Sequence, residues 1–524
     1  MKYDFVGQTR IRRREFFQFG TAAAVALAGS RRARCDQPSR LLFFDAATIE
    51  ERSEVALVPP PLEKLGLMLE GDSPGDSAGV STAMGCGIQR LADGRYRLYY
   101  SGYTRSEPQR GVCVAESDDG LHWTKPPLRQ LQIDGRETNR LDISGLPEGT
   151  HLHQPSIVSL PDGRWRMYGW LGRSRPRILR YIAADSADGL RWKAINVDQP
   201  CLRHPLELSP LGSWSWLDGP ESRKRWQESP GPEPAPFLEL KRLLSNDATH
   251  TYADPHGGFE MFSVWALPNR PDSGRYVPYD NAKVMLRVIH ARTSEDGLRW
   301  SDPHLLLVPD QQDAWDQQFY YLAQHRLPDQ RVGFLGRYRT VDQDMDIEFV
   351  YSRDGRKWHR PLRGAWLPRG PEGALDSTRV YMPTHLIDRG DHWLGLYSAV
   401  NTKHNEPPER ARRTVHGVKI GRYRFAGLSS QGTLSARVRT VPFILSTPRL
   451  MLDGSIAGSL RAELCDAFGR PLEGLTFADS AAVTGDSDKH ELRWKTAIPA
   501  DYQFDAVSLR MEWTRGVVYG VWAS

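Results

Sequence analysis

Short runs in which apolar and polar residues alternate recur along most of the chain. Such runs stand at 94–100, 111–115, 163–168 and 179–183, and they are rich in aromatic and β-branched residues. Asp-Gly dipeptides bound several of them. A period of two between Asp-Gly turns is typical of antiparallel strands joined by hairpins. The pattern therefore predicts small antiparallel sheets as the building element of this protein.

One motif, Ser-x-Asp-Gly-x-x-Trp, occurs four times, at 117–123, 186–192, 294–300 and 352–358. Recurrence of this kind indicates a structural repeat. Asp-Gly suits a turn that needs a positive φ, the Ser and Asp side chains can bond to turn amides, and the Trp can cover the hairpin. We interpret the four motif aspartates as structural rather than catalytic.

Counting from this motif divides much of the chain into five units, although the motif has decayed in the last of them. Sheets of about four strands repeated around an axis form the blades of a β-propeller. An N-terminal strand that pairs into the last blade would leave no free edge. The units are 80–123 (unit 1), 151–192 (unit 2), 245–300 (unit 3), 316–358 (unit 4) and 376–423 (unit 5).

The spacing of the alternating runs changes after about residue 428, which predicts a separate antiparallel domain. The predicted fold is all-β, with a five-bladed β-propeller over 40–428 and a C-terminal antiparallel β-sandwich over 429–524. The segment 202–240 mixes Pro, Ser, Trp and charged residues without a strand period, so we predict an insertion loop there. Such a loop is either a substrate lid or a decoration.

The first thirty residues have the composition of an export signal. An arginine run at 12–14, followed by Glu15, Phe16 and Phe17, precedes a weakly apolar run at 20–29. This order resembles a twin-arginine signal, so we predict a signal peptide over 1–30. The export machinery would be a transient partner, and the mature protein would be periplasmic or extracellular. The apolar run is too short to span a bilayer as a helix, so no stable membrane anchor is expected.

Composition narrows the function classes. Hydrophobic residues make up 40% and charged residues 25%, as in a globular protein. The formal net charge of +5 falls further if the basic signal is removed, so charge gives no argument for nucleic acid as a partner. The five cysteines are scattered without metal-ligand spacing, and no metal or other cofactor is predicted.

The sequence of the repeat units is similar to that of a known group of proteins. The runs 94–100 and 112–123 resemble the blades of five-bladed propeller glycoside hydrolases, the group that holds invertase-like and arabinanase-like enzymes. The segments 246–247 with 252–255, 351–355, 373–377 and 469–474 resemble an uncharacterised bacterial branch of that group. The resemblance implies hydrolysis of a glycosidic bond in an oligo- or polysaccharide. The invertase-like Asn-Asp-Pro-Asn-Gly, Arg-Asp-Pro and Glu-Cys motifs are not found in this chain.

Glycosidic hydrolysis needs two carboxyl groups, one to protonate the leaving oxygen and one to activate water or attack the sugar. Glycosidases of this group are understood to carry them on the innermost strands. Counting back from the motif puts Asp247, Asp316 and Asp376 where the innermost strands of units 3, 4 and 5 begin. We predict that Asp247 and Asp376 share the acid and base roles and that Asp316 tunes them. Unit 2 has histidines at this place, and unit 1 has no carboxylate between 78 and 89.

Five further residues are candidates for substrate binding, each with a plainer structural alternative. His153, Arg379, Tyr381, Trp315 and Glu348 could contact a sugar, or they could pack, pair strands or face solvent. Two rival functions also remain open. One is a non-catalytic carbohydrate-binding or cell-surface scaffold protein, since propellers host many functions. The other is a sialidase, which would need an inward cluster of arginines and a Tyr-Glu pair.

Overall fold

A computed structural model describes residues 40–83, 85, 87–105, 110–173, 178–204, 243–268, 285–382, 385–432 and 434–524. The predicted signal peptide and nearly all of the predicted insertion loop lie outside these residues. From residue 39 onward the chain forms one compact unit. Within the described ranges the regular structure consists of strands and three short 3-10 turns, and no helix there is long and apolar enough to cross a membrane. The all-β prediction is confirmed.

Four strands precede the first repeat unit. Arg40, in the first of them, stacks its guanidinium 3.5 Å from the ring centre of Trp522, at the far end of the chain. A 3-10 turn at Ala46–Thr48 follows this strand and is capped by the side chain of Asp45. The strands are β1 (Arg40–Leu42), β2 (Ile49–Ser53), β3 (Val55–Val58) and β4 (Glu63–Leu69).

The main strands of units 1 and 2 pair antiparallel. In unit 1 the two segments 79–81 and 87–90 both pair with the strand that begins at Tyr96. In unit 2 the strand that begins at His151 pairs with the next hairpin, and a short parallel pair between 143–144 and 192–193 forms the outer edge. The short strands at 132–133 and 136–137 form a separate two-stranded sheet. The strands are β5 (Gly79–Ser81), β6 (Gly87–Arg90), β7 (Tyr96–Tyr103), β8 (Arg110–Ser117), β9 (Gln132–Ile133), β10 (Arg136–Glu137), β11 (Ile143–Ser144), β12 (His151–Ser159), β13 (Trp165–Arg173), β14 (Ile178–Ser186), β15 (Trp192–Ala194) and β16 (Leu202–Arg203).

Units 3, 4 and 5 repeat this arrangement. Units 4 and 5 are joined by a single parallel bridge between Met345 and Arg379. A 3-10 turn at Pro408–Arg410 lies in unit 5. The strands are β17 (Leu243–Ala253), β18 (Phe259–Pro268), β19 (Met285–Ser294), β20 (His304–Leu307), β21 (Gln317–Arg326), β22 (Arg331–Arg339), β23 (Asp344–Ser352), β24 (Arg379–Tyr381), β25 (Leu386–Asp388), β26 (His392–Val400) and β27 (Arg413–Gly421).

The fourth strand of unit 5 comes from the N-terminal side of the chain. Strand β4 pairs antiparallel with β27, with Leu69 opposite Val415 and Glu63 opposite Lys419. The outer edge of the last unit is therefore covered by a segment that precedes the first unit. This pairing ties the two ends of the repeat region together.

Apolar side chains fill the space between each unit and the next. Four buried clusters each combine residues from two neighbouring units, one of them from units 5 and 1, and a fifth cluster is formed mainly by units 4 and 5 with a few residues from other parts of the chain. The sheets therefore face one another in a closed order. Residues of two units that belong to the same cluster include Val114 and Ile157, Tyr168 and Met261, Phe262 and Leu322, Tyr321 and Val418, and Leu396 and Leu98.

The repeated motif forms one turn in all four copies, at the end of the third strand of units 1 to 4. In unit 2 the Ser186 hydroxyl accepts a hydrogen bond from the Gly189 amide at 2.9 Å, and Asp188 Oδ1 accepts two further amides at 2.8 Å each. The Ser bond recurs at Ser117, Ser294 and Ser352. The motif therefore forms the predicted hydrogen-bonded turn in each of these units.

The motif turns also receive hydrogen bonds from neighbouring units. Arg97 of unit 1 donates to the Asp188 carbonyl of unit 2 at 3.0 Å, and Arg166 of unit 2 donates to Asp296 of unit 3 at 2.8 Å. Arg389 of unit 5 donates to the Asp119 carbonyl of unit 1 at 3.0 Å. These bonds link neighbouring sheets, including the last to the first.

The C-terminal strands form one nine-stranded sheet that also contains β1, β2 and β3. Two long strands pair along most of their length and carry a buried apolar core that includes Leu464, Met511 and Trp513. A 3-10 turn at Ala500–Tyr502 precedes the last strand. The strands are β28 (Gly427–Ser430), β29 (Ala436–Thr440), β30 (Phe443–Ile444), β31 (Leu450–Asp466), β32 (Val483–Leu492) and β33 (Ala506–Ala523).

Candidate functional site

The innermost strands of the units all begin at the end opposite the motif turns, which we call the leading end. Each of these strands is interrupted shortly after its start. Three pairs stand just before the interruption: His153 opposite Trp170, Phe319 opposite Arg337, and Tyr381 opposite Ser398. The register therefore makes His153, Phe319 and Tyr381 equivalent positions of units 2, 4 and 5.

Asp247 lies inside this interruption in unit 3. The register of β17 against β18 breaks between Leu244 and Thr249, so Asp247 belongs to the bulge. Ala248 beside it is buried and has a φ of 47°, a left-handed conformation that is uncommon for a residue with a side chain. The side chain of Asp247 lies outside the described part of the structure. Its backbone thus lies a few residues further along the strand than the sequence prediction placed it.

Asp316 directly precedes β21, and its side chain is fully buried against an arginine. Arg339 donates to Asp316 Oδ1 through Nε at 2.8 Å, and the Val341 amide donates to Oδ2 at 3.2 Å. The carboxylate therefore joins the start of the inner strand to the hairpin that ends the second strand. Trp315 next to it is 54% exposed, so its indole is accessible to a ligand.

Asp376 precedes β24 and contacts two side chains of its own unit. Lys64 donates to its Oδ2 at 2.7 Å, and the Tyr397 hydroxyl donates to the same oxygen at 3.0 Å. Burial opposes ionisation of Asp376, but the hydrogen bond and charge of Lys64 outweigh it, so its pKa lies below the usual value. A carboxyl in this state can act as a base or an electrostatic partner but is a poor proton donor.

Unit 1 contains a counterpart of Asp376 that sequence reasoning missed. Asp76 is completely buried and also stands three residues before its inner strand. Its Oδ2 accepts from the Tyr100 hydroxyl at 2.5 Å and lies 2.8 Å from Lys125 Nζ. Tyr100 and Tyr397 occupy equivalent positions in the register of their units. An Asp-Ser dipeptide at 76–77 and again at 376–377 is the signal that could have revealed this repeat.

Arg379 and Tyr381 lie side by side on β24. The Arg379 guanidinium donates from Nε to the Thr402 carbonyl at 2.9 Å and from Nη1 to the Tyr381 hydroxyl at 3.2 Å. Both residues are buried. These contacts fix the orientation of the arginine and hold a positive charge beneath the leading end of unit 5.

His153 is buried at the leading end of unit 2, beside His151. Their ring centres are 5.4 Å apart, and within the described residues Nδ1 of His153 has no hydrogen-bond partner. Burial, together with the charges of Arg110 and His151, holds the pKa of His153 well below its usual value. The imidazole is therefore neutral near pH 7, and its Nδ1 is inaccessible to solvent.

Glu348 is buried within an ion-pair network on β23. Both of its carboxyl oxygens accept from Arg360, at 2.8 and 2.7 Å, and Arg360 also binds Asp313 at 2.7 and 2.6 Å. Burial raises the pKa of Glu348, although Arg360 opposes the shift. The side chain is completely inaccessible to solvent, which differs from the predicted substrate contact.

A cavity of about 850 Å³ opens at the leading end between units 1 and 5. It begins at the start of β5 and extends to the start of β27, with Tyr103, Arg110 and Arg413 in its lining. Sequence reasoning missed these residues, because they stand at strand ends far apart in the chain. Within the described residues no cluster of three or more His, Cys, Asp or Glu side chains could hold a metal ion.

No protein-family model and no curated protein matches the chain. A solved structure described as a glycoside hydrolase is 15% identical, covers 70% of this chain and 94% of its own, and gives a TM-score of 0.43. An N-acetylgalactosamine deacetylase from F. plautii is 14% identical, with 71% and 97% covered and a TM-score of 0.43. A thermostable family-43 glycoside hydrolase is 13% identical, with 63% and 89% covered and a TM-score of 0.36. Similarities this distant assign neither an activity nor a substrate.

Proposed function

We propose that the protein is a carbohydrate-active five-bladed β-propeller of the glycoside hydrolase type. The closed order of the five sheets supports the propeller, because each sheet packs on the next and unit 5 packs on unit 1. One observation carries the functional part: the units repeat one turn at the motif end, but their equivalent positions at the leading end carry different side chains, His153, Phe319 and Tyr381. Propeller proteins use such a face for ligands because the sheets below it are already stable.

The contacts of the described carboxylates refine the proposed roles. Asp376, held ionised by Lys64, fits the base or nucleophile better than the acid. Asp316 is enclosed by Arg339 and fits a positioning role. The proton donor is then assigned to Asp247, in the bulge of unit 3. The substrate would be an oligo- or polysaccharide, with His153 and Trp315 as contacts at the leading end.

A non-catalytic saccharide-binding protein is the second candidate. It is favoured by the ion pairs of Asp316 and Asp376, since each carboxylate already has a cation within 2.7 Å. Asp76, the counterpart of Asp376 in unit 1, also forms an ion pair with a lysine. An arrangement found in two units of one chain fits a shared structural role as well as a catalytic one.

The experiment that separates these candidates is a sugar-release assay on plant and algal polysaccharides. We expect release by the native protein and a loss of at least about 100-fold in Asp247→Asn, the range typical of a general acid. Asp254→Asn is the matched control, because Asp254 belongs to the same unit but lies at the motif end, 3.3 Å from Arg326. Full turnover by Asp247→Asn would remove that residue from the mechanism. Binding without release by the native protein would favour the second candidate.

We also propose export through the twin-arginine route, as the arginine run at 12–14 and the apolar run at 20–29 suggest. Replacing Arg13 and Arg14 by lysine should leave the protein in the cytoplasm of a producing bacterium. Cell fractionation checks this, and unchanged export of the variant would contradict the proposal.

A further inference from the structure

We infer that the cavity between units 1 and 5 binds an acidic group of a saccharide, either a carboxylate or a sulfate ester. The inference rests on the proposed saccharide-binding function and names the chemical class of the ligand. Its first support is charge. Five arginines line the cavity, including Arg105, Arg110 and Arg413, whereas the only lining carboxylates in the described chain are Glu70 and Glu409.

Two of these arginines converge on one aromatic ring. The guanidinium carbon of Arg413 lies 4.9 Å from the ring centre of Tyr103, and that of Arg110 lies 5.5 Å from the same centre. The ring thus holds two cationic groups at one site on the cavity wall. Planar guanidinium groups recognise carboxylate and sulfate oxygens through paired hydrogen bonds, so a convergent pair is suited to an oxyanion.

A third arginine, Arg379, adds positive charge near this pair. Arg379 is buried and fixed by the Thr402 carbonyl, so its own donors are largely used within the protein. Burial lowers the pKa of Arg413, and the charges of Arg379 and Arg110 lower it further, against the opposing effect of Tyr103 and Tyr381. Three like charges near one another are electrostatically unfavourable. A bound anion would relieve that repulsion, which gives the site a preference for acidic over neutral ligands.

The same group of side chains extends toward unit 2. Arg110 is exposed, makes no ion pair with any residue in the described part of the chain, and acts electrostatically on His153. The arginines would hold the acidic group through paired hydrogen bonds.

The test is binding of the full-length protein to an oligosaccharide array in which each acidic glycan is paired with a neutral form. Uronate glycans are paired with their methyl esters, sulfated glycans with desulfated ones, and sialylated glycans with asialo forms. We expect at least tenfold tighter binding of one acidic class, and the class that responds distinguishes a carboxylate from a sulfate ester. Equal binding within every pair, or no binding to any acidic glycan, would overturn the inference.

Two variants assign the preference to this cavity. Arg110→Gln should reduce the preference for acidic glycans by at least fivefold, and the protein should still fold because Arg110 is exposed. The double variant with Arg110→Gln and Arg413→Gln should abolish the preference. Arg299→Gln is the control, since Arg299 is 92% exposed at the motif end of unit 3. An acid preference that survives in the double variant would also overturn the inference. If the protein binds or cleaves neutral glycans and shows no preference for acidic ones, the inference fails but the proposed saccharide function stands. If it binds acidic glycans selectively but releases no sugar, the inference stands and hydrolysis is contradicted.

Discussion

The two ends of the repeat units differ in what they repeat. At the motif end, units 1 to 4 make the same Ser and Asp hydrogen bonds, and arginines of neighbouring units donate to three of the four turns. At the leading end, the register-equivalent positions carry a histidine, a phenylalanine and a tyrosine. The motif end thus repeats one hydrogen-bonded turn from unit to unit, whereas the equivalent positions at the leading end differ in the chemistry of their side chains.

The largest effect is expected from a motif glycine. A Cβ on Gly189 would lie 1.9 Å from the Trp165 ring, and the φ of 72° is strained for alanine as well. Gly189→Ala should therefore lower the free energy of unfolding by about 3 kcal/mol or more. Gly163→Ala is the matched control, because Gly163 has a φ of 85° but nothing within 4 Å of its Cβ. Gly163→Ala should lower the free energy of unfolding by about 1–2 kcal/mol, which is the cost of the positive φ without any steric clash. Urea unfolding measures both, and equal losses would mean that packing at the motif turn is unimportant.

The next largest effect is expected from a hydrogen bond between neighbouring units. Arg166 binds Asp185 and also donates to the Asp296 carbonyl of the following unit, with little of its side chain exposed. Arg166→Met should cost about 1.5–3 kcal/mol, the range for a charged hydrogen bond lost from a buried site. Arg164→Met removes a neighbouring, half-exposed arginine that also pairs with Asp185, and we expect no measurable change. A thermal melt that shifts equally in both variants would argue against the inter-unit bond.

A comparison within the leading end separates structure from catalysis. Asp76→Asn and Asp376→Asn each weaken a Tyr and a Lys contact, so each should lower stability by about 1–3 kcal/mol. Only Asp376→Asn should also reduce sugar release. If both variants release sugar normally at a temperature where they are folded, Asp376 is a structural residue like its counterpart.

The sequence predicted the parts of this molecule that depend on neighbours in the chain. Ser186, Asp188 and Gly189 bond to one another, so their spacing alone identifies the turn. Asp76 was missed because its partner Lys125 lies beyond the motif, where no spacing rule points to it. The contact of Arg110 and Arg413 with Tyr103 forms only because β4 brings the last unit against the first. The cavity therefore depends on closure of the ring, which no local pattern encodes.

The smallest effect is a pH dependence at the motif end. Burial opposes ionisation of Asp119, but hydrogen bonds from the His122 and Leu121 amides, the His122 ring and Ser117 outweigh it and hold its pKa below the usual value. A carboxyl with a lowered folded pKa stabilises the protein above its unfolded pKa of about 3.9, and that stability is lost as the pH falls through the folded pKa.

Asp119→Asn should therefore be less stable than the native protein at pH 6, and the difference should shrink as the pH is lowered toward 3. The difference should be at most about 1 kcal/mol, because the carboxyl is 38% exposed and screened by solvent. Asp118→Asn is the control, since no residue in the described ranges donates a hydrogen bond to the Asp118 carboxyl. Urea unfolding at a series of pH values measures both variants. A gap between Asp119→Asn and the native protein that does not change with pH would show that the charge of Asp119 does not contribute to the stability of the motif turn.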